Sequence, residues 1–120
     1  MVTAINLGFP RIGARRELKK ATESYWKAEI DGTALEAVAK ELRATHWKAQ
    51  KDAGLDIIPS NDFSFYDQVL DTSAVVGNVP ARFNWVGGRV DLDTYFAMAR
   101  GLKDAFACEM TKWFDTNYHY

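Results

Sequence analysis

An α/β fold is what the sequence predicts, the class to which a (β/α)8 barrel of the TIM type belongs, and three observations carry that expectation. Residues 1–7 and 55–59 are short apolar runs bounded by Gly and Pro, as buried strands are. Between them lie stretches with apolar residues at spacings of three and four, as amphipathic helices have. The last residues, "KWFDTNYHY", place Phe114, Thr116, Tyr118 and Tyr120 on one face, as a half-buried strand would. Strands separated by helices imply βα units on a parallel sheet. Three strands cannot close such a barrel, which typically takes about 250 residues, so the 120 residues read as a piece of something longer.

Each element has its own local reason. Val2, Ala4, Ile5 and Leu7 form the first strand, and Gly8 and Pro10 end it. Gly13 then introduces a helix over about residues 14–31, with Leu18, Ala21, Tyr25 and Ala28 in register and Gly32 as its stop. Thr33 and Glu36 form a T-x-x-E capping box for a second helix that runs to about Ala53, with Gly54 ending it. "LDIIP" is the second strand, followed by the turn-forming "SND". Residues 63–76 are helical in part, with Tyr66, Val69 and Leu70 on one side. Pro80, Gly87 and Gly88 mark residues 77–89 as a loop or irregular hairpin, and Asp93 caps a short helix stopped by Gly101.

Composition narrows the function. With 48% hydrophobic residues the chain can bury one core. No apolar stretch approaches the roughly 20 residues needed to span a bilayer and no secretory signal opens the chain, so a cytoplasmic setting and no membrane partner are expected. A single cysteine, Cys108, excludes an internal disulfide framework, and with only His46 and His119 beside it no metal-ligand spacing is present. Cys108 has only Lys103 and Lys112 as nearby cations in sequence and reads as a small, partly buried residue. His46 and His119 read as structural. Asp62, between a strand and a helix, reads as a capping group, and catalysis is not expected of Asp62, Asp67 or Asp71; Trp26 reads as packing against the next helix, with a cover for aliphatic carbons of a bound tail as the other reading.

Charge is uneven. Residues 1–20 carry Arg11, Arg15, Arg16, Lys19 and Lys20 against Glu17 alone, a balance of +4, while the remainder stands at −5. Broad nucleic-acid binding calls for a basic domain, so none is expected. At about 100° per residue on one helix, Arg15, Arg16, Lys19 and Lys20 fall within an arc of roughly 140° opposite the apolar stripe. Cations near a helix N-terminus, in like-charge pairs four apart, are unfavourable by about 0.3 to 1 kcal/mol for each such term. The arrangement turns favourable when an anion docks, because free helix N–H groups and forked guanidinium groups suit carboxylate or phosphate.

The stretches "GFPRIGARRELKK", "IIPSNDFSFYDQVLDTS", "LDTYFAMARG" and "EMTKWFDTNYHY", in this order, resemble the N-terminal segment of cobalamin-independent methionine synthase over nearly the whole chain. The resemblance implies methyl transfer from 5-methyltetrahydropteroyltriglutamate to homocysteine without cobalamin. It also implies two (β/α)8 barrels, with zinc, homocysteine and the catalytic groups held by a C-terminal barrel that is absent from residues 1–120. The chain would then be an incomplete N-terminal barrel domain, inactive alone, whose part is to bind the folate polyglutamate tail. Carried over residue by residue, the tail-binding motif corresponds to Arg16, Glu17, Leu18 and Lys19, and the "MTKWF" lysine to Lys112. Arg15 joins them by helical adjacency alone. Between "ARG" and "EMTKWF" this chain has only "LKDAFAC" where some family members carry a longer insertion. A stand-alone, non-catalytic anion-binding or interaction module remains the alternative, and uncovered barrel edges imply self-association of the truncated fold.

Overall fold

The computed structural model describes residues 1–109 in full and the backbone of residues 112–113 and 116–117. Four helices dominate: α1 (Glu17–Trp26), α2 (Gly32–Asp52), α3 (Gln68–Val75) and α4 (Leu92–Arg100), with a 3-10 turn at Ala81–Phe83. Two compact units divide the chain, Met1–Phe65 and Tyr66–Tyr120.

In the first unit α1 lies against α2. Leu18 of α1 and Leu35, Ala39 and Leu42 of α2 form its buried centre. Full burial of one such leucine contributes about 1.5 to 3 kcal/mol. Thr22 is also buried, which a polar side chain tolerates because its hydroxyl donates to the Leu18 carbonyl at 2.8 Å. The helix is shorter than its apolar spacing suggests. Arg16 (φ 61°) and Ala28 (φ 58°) both take the left-handed conformation and close it at either end. At the far end Ala28 N–H donates to Tyr25 and Glu29 N–H to Ser24, a Schellman closure with alanine where glycine is usual. Gly32 is therefore not the stop; it opens α2.

The caps differ from expectation in a consistent way. Asp31, not the Thr33/Glu36 box, caps α2, its carboxylate accepting from Ala34 N–H at 2.8 Å. Asp91, not Asp93, caps α4 through Thr94 N–H at 2.7 Å, and that bond holds the Asp91 carboxyl below its ordinary value. In both cases an aspartate two residues upstream starts the helix earlier, so the cap bond goes to an earlier donor. Asp67 caps α3, through Leu70 N–H.

The two apolar runs are not buried strands. They meet in one parallel bridge, Ile5 with Ile57, and both residues are exposed at 61% and 58%. The Asp56 carboxylate accepts the Ala4 N–H at 2.8 Å, taking a donor that a strand carbonyl would use, while Ala4 carbonyl accepts from Asp56 and Ile57. With a side chain in the ladder, the pairing stops at one step. In the second unit Tyr66, Leu70, Tyr95, Phe96 and Met98 are buried. The Tyr95 hydroxyl accepts from Tyr66 N–H and donates to Asp71, which ties α4 to the start of α3. The terminal alternating strand lies outside the described residues except for an antiparallel pairing of Lys112–Trp113 with Thr116–Asn117. No helix among the described residues is long and apolar enough to cross a membrane.

The two candidate caps of α2 separate by substitution. Asp31→Ala is expected to lower unfolding free energy by about 1 kcal/mol, and Thr33→Ala by only a few tenths, in urea denaturation followed by circular dichroism. Equal losses would return the cap to Thr33.

Candidate functional site

The basic segment begins where Gly8 passes beside Asp62. The Asp62 carboxylate accepts the Phe9 N–H at 2.8 Å, so Asp62 fastens this turn instead of capping a helix. Asn6 donates to Gln50 Oε1 at 2.9 Å and the Phe9 ring stacks on His46 at 4.6 Å, which pins the turn to the C-terminal half of α2. His46 is structural, as the sequence suggests.

From Gly13 the chain makes a second turn, and here the geometry departs from a helical wheel. Ala14 and Arg15 lie in a turn before α1, and Arg16 is the N-cap residue, with no side-chain cap bond of its own. Glu17 supplies the missing acceptor. Its Oε2 accepts the Arg15 N–H at 2.9 Å, and its Oε1 lies 3.5 Å from the Arg15 guanidinium. Hydrogen bonds from its own backbone N–H first, and from that of Arg15 next, hold the Glu17 carboxyl below its ordinary 4.5. This carboxylate stands against Gly13, where an added Cβ would collide with Oε2. Gly13 also has φ +89°, a conformation that side chains disfavour. The anion seat at the start of α1 is thus filled from within. The expectation of free N–H groups aimed at an external anion does not hold for the groups that Glu17 takes.

The predicted residues separate by what they touch. Arg15 is 87% exposed at its side chain and Arg16 is exposed. Leu18 is 1% exposed and belongs to the core between α1 and α2, so its contribution to a site is to fix the helix. Lys19 is 28% exposed at its side chain and lies 3.4 Å from Glu23 Oε1. Lys20, which the motif does not include, is exposed one turn after Arg16. The Lys112 side chain lies outside the described residues. Sequence reasoning missed the internal role of Glu17; the signal was the glycine four residues before it, which leaves room for that carboxylate.

Elsewhere, Arg82 approaches Cys108. Its Nη2 is 3.8 Å from the sulfur, and its guanidinium lies 4.1 Å over the Phe106 ring while Nε donates to the Phe106 carbonyl at 2.9 Å. A cation distant in sequence thus approaches the thiol. Among the described residues no group of three His, Cys, Asp or Glu side chains could hold a metal, so a zinc ion does not fit residues 1–109.

Residues 3–120 match the family described as "Cobalamin-independent synthase, N-terminal domain". Among curated relatives, the 5-methyltetrahydropteroyltriglutamate–homocysteine methyltransferase of Salinibacter ruber is 60% identical over 129 aligned residues, covering 100% of this chain and 17% of the relative. The enzyme of that name from Syntrophotalea carbinolica is 59% identical, covering 95% of this chain and 15% of the relative, and that of Acidithiobacillus ferrooxidans is 54% identical, covering 100% and 15%. The chain spans about one sixth of the length of the curated relatives it matches.

The Glu17 contact has a pH signature. Its folded pKa is lowered, so its stabilisation is present above the unfolded value and is lost as pH falls through the folded one, below 4.5. Glu17→Gln is expected to flatten the loss of α1 helicity on acidification in that range, and the Glu17 carboxyl to titrate below its ordinary 4.5 by NMR. Gly13→Ala, which displaces the carboxylate, is expected to destabilise the fold by more than about 1 kcal/mol. A neutral Gly13→Ala in thermal melts would refute the close approach.

Proposed function

The chain belongs to the cobalamin-independent methionine synthase family, as its N-terminal domain, and from that premise we propose that it serves a homocysteine methyltransferase by holding the folate. In this reading a methyl group passes from 5-methyltetrahydropteroyltriglutamate to the homocysteine sulfur, giving methionine, and the chain supplies cations for the glutamate tail. The printed name of the relatives carries a triglutamate, whose several carboxylates call for several positive groups. Arg16 and Lys19 contribute charge, with Arg15 beside them, and Lys112 joins from the end of the chain. Glu17 shapes the turn that presents the arginines, and Leu18 anchors the helix. The observation that supports this most is that the segment's one acid is turned onto backbone N–H groups while Arg15 and Arg16 stay in solvent.

The remaining chemistry belongs to residues beyond this set. Zinc would activate the homocysteine thiol; residues 1–109 hold no group of three His, Cys, Asp or Glu side chains placed for a metal, so in this reading that step falls to other residues and the chain alone is expected to be inactive. The single parallel bridge of Ile5 and Ile57 supports placing residues 1–120 in the first barrel of a two-barrel enzyme, as the opening of a parallel sheet. A cytoplasmic setting suits such a biosynthetic reaction.

The test is kinetic. In a full-length enzyme of the family carrying this segment, Arg16→Ala with Lys19→Ala is expected to raise KM for the triglutamyl substrate by up to about tenfold, the scale of two exposed ion pairs. KM for the monoglutamyl substrate and kcat should stay close to the unsubstituted values. An unchanged preference for the longer tail would refute the assignment.

A further inference from the structure

The cations of residues 8–20 are not equivalent, and their partners sort them. Arg11 lies against α2, beside His46, Gln50 and Asp62. Arg15 is matched by the Glu17 carboxylate at 3.5 Å, and Lys19 by Glu23 at 3.4 Å, four residues further along the helix. Arg16 and Lys20 have no ion-pair partner among the described residues, and both are exposed. Lys20 N–H donates to the Arg16 carbonyl at 3.1 Å, so the two residues stand one turn apart, at the spacing that makes neighbours on a helix surface.

Two unmatched positive charges on consecutive turns repel each other, and a carboxylate between them relieves that repulsion. Lys19 gains less from the same carboxylate, because it must first give up Glu23. The N–H groups of Arg15 and Glu17 are taken by the Glu17 carboxylate and that of Leu18 by the Ile12 carbonyl, so the anion meets the side-chain cations rather than these donors. We infer that Lys20, paired with Arg16, is a specificity-determining contact for a poly-γ-glutamyl carboxylate, an inference that rests on the tail-binding reading above and extends it to a residue outside the motif. In that arrangement Lys19, shared with Glu23, adds less to the contact than Arg16 and Lys20 do. A γ-linked tail suits it, because each added glutamate brings one more carboxylate on a flexible chain.

Calorimetric titration of the chain with triglutamyl and monoglutamyl 5-methyltetrahydrofolate at low salt tests it. Lys20→Ala is expected to weaken triglutamyl binding about threefold to fivefold, as loss of one solvent-exposed ion pair does, and to leave monoglutamyl binding unchanged. Lys20→Arg should restore it, and Lys19→Ala should weaken it less than Lys20→Ala. Thermal melts of the variants, at an exposed position, should match the unsubstituted chain. Tail preference that survives Lys20→Ala but is lost in Arg16→Ala overturns the role of Lys20 while leaving the tail-binding reading standing. Preference lost in Lys20→Ala but kept in Arg16→Ala overturns the pairing. Equal affinity of the unsubstituted chain for the two ligands removes the tail-binding reading and this inference with it.

Discussion

The Glu17 carboxylate, turned back onto backbone N–H groups in the space that Gly13 leaves open, is the contact on which the basic segment depends. A helix start is a positive place, and Arg15, Arg16, Lys19 and Lys20 crowd it with more positive charge. An acid placed there answers the dipole directly and, through Arg15, part of the side-chain charge as well. Because that acid is supplied by the same turn, the segment can fold with its cations in place before any ligand arrives. Leu18 completes the arrangement from below, since the residue after the anchoring acid is the one buried against α2.

Helices were legible in the sequence because their apolar spacing is local information. Leu18, Leu35, Ala39 and Leu42 all stand where a period of 3.6 puts them. Their ends were less so. Asp31 and Thr33 are both good capping residues, and the choice between them turns on which reaches the N3 donor with extended backbone geometry. Ala28 in a left-handed conformation carries no sequence signal at all, because glycine is the residue that announces such a stop. The strands failed for a different reason. An apolar run states that a segment can be buried, but burial needs neighbours, and between Ile5 and Ile57 there is only one bridge, with Asp56 occupying the next donor.

The candidate site shows the same division. Composition alone picked out residues 8–20, since five cations against one acid is visible without coordinates. Which cations are matched was not visible, because it depends on where the helix begins. A start at Ala14 would have put Arg15 on the helix face; the start at Glu17 leaves it in a turn. Three residues of difference reassign a side chain from a surface stripe to the partner of an acid. Similarly, Arg82 approaches Cys108 across 26 residues of sequence, a relation that no local pattern encodes.

The connection after α4 is fastened at both of its ends. Gly101 folds sharply at φ +81°, Leu102 bridges back to Ala105, and Arg82 and the Met98 carbonyl hold residues 106–108. Only Lys103 and Asp104 form an exposed tip without a role in that closure. Extra residues inserted at this tip would enlarge an outer loop while the anchored feet kept their spacing.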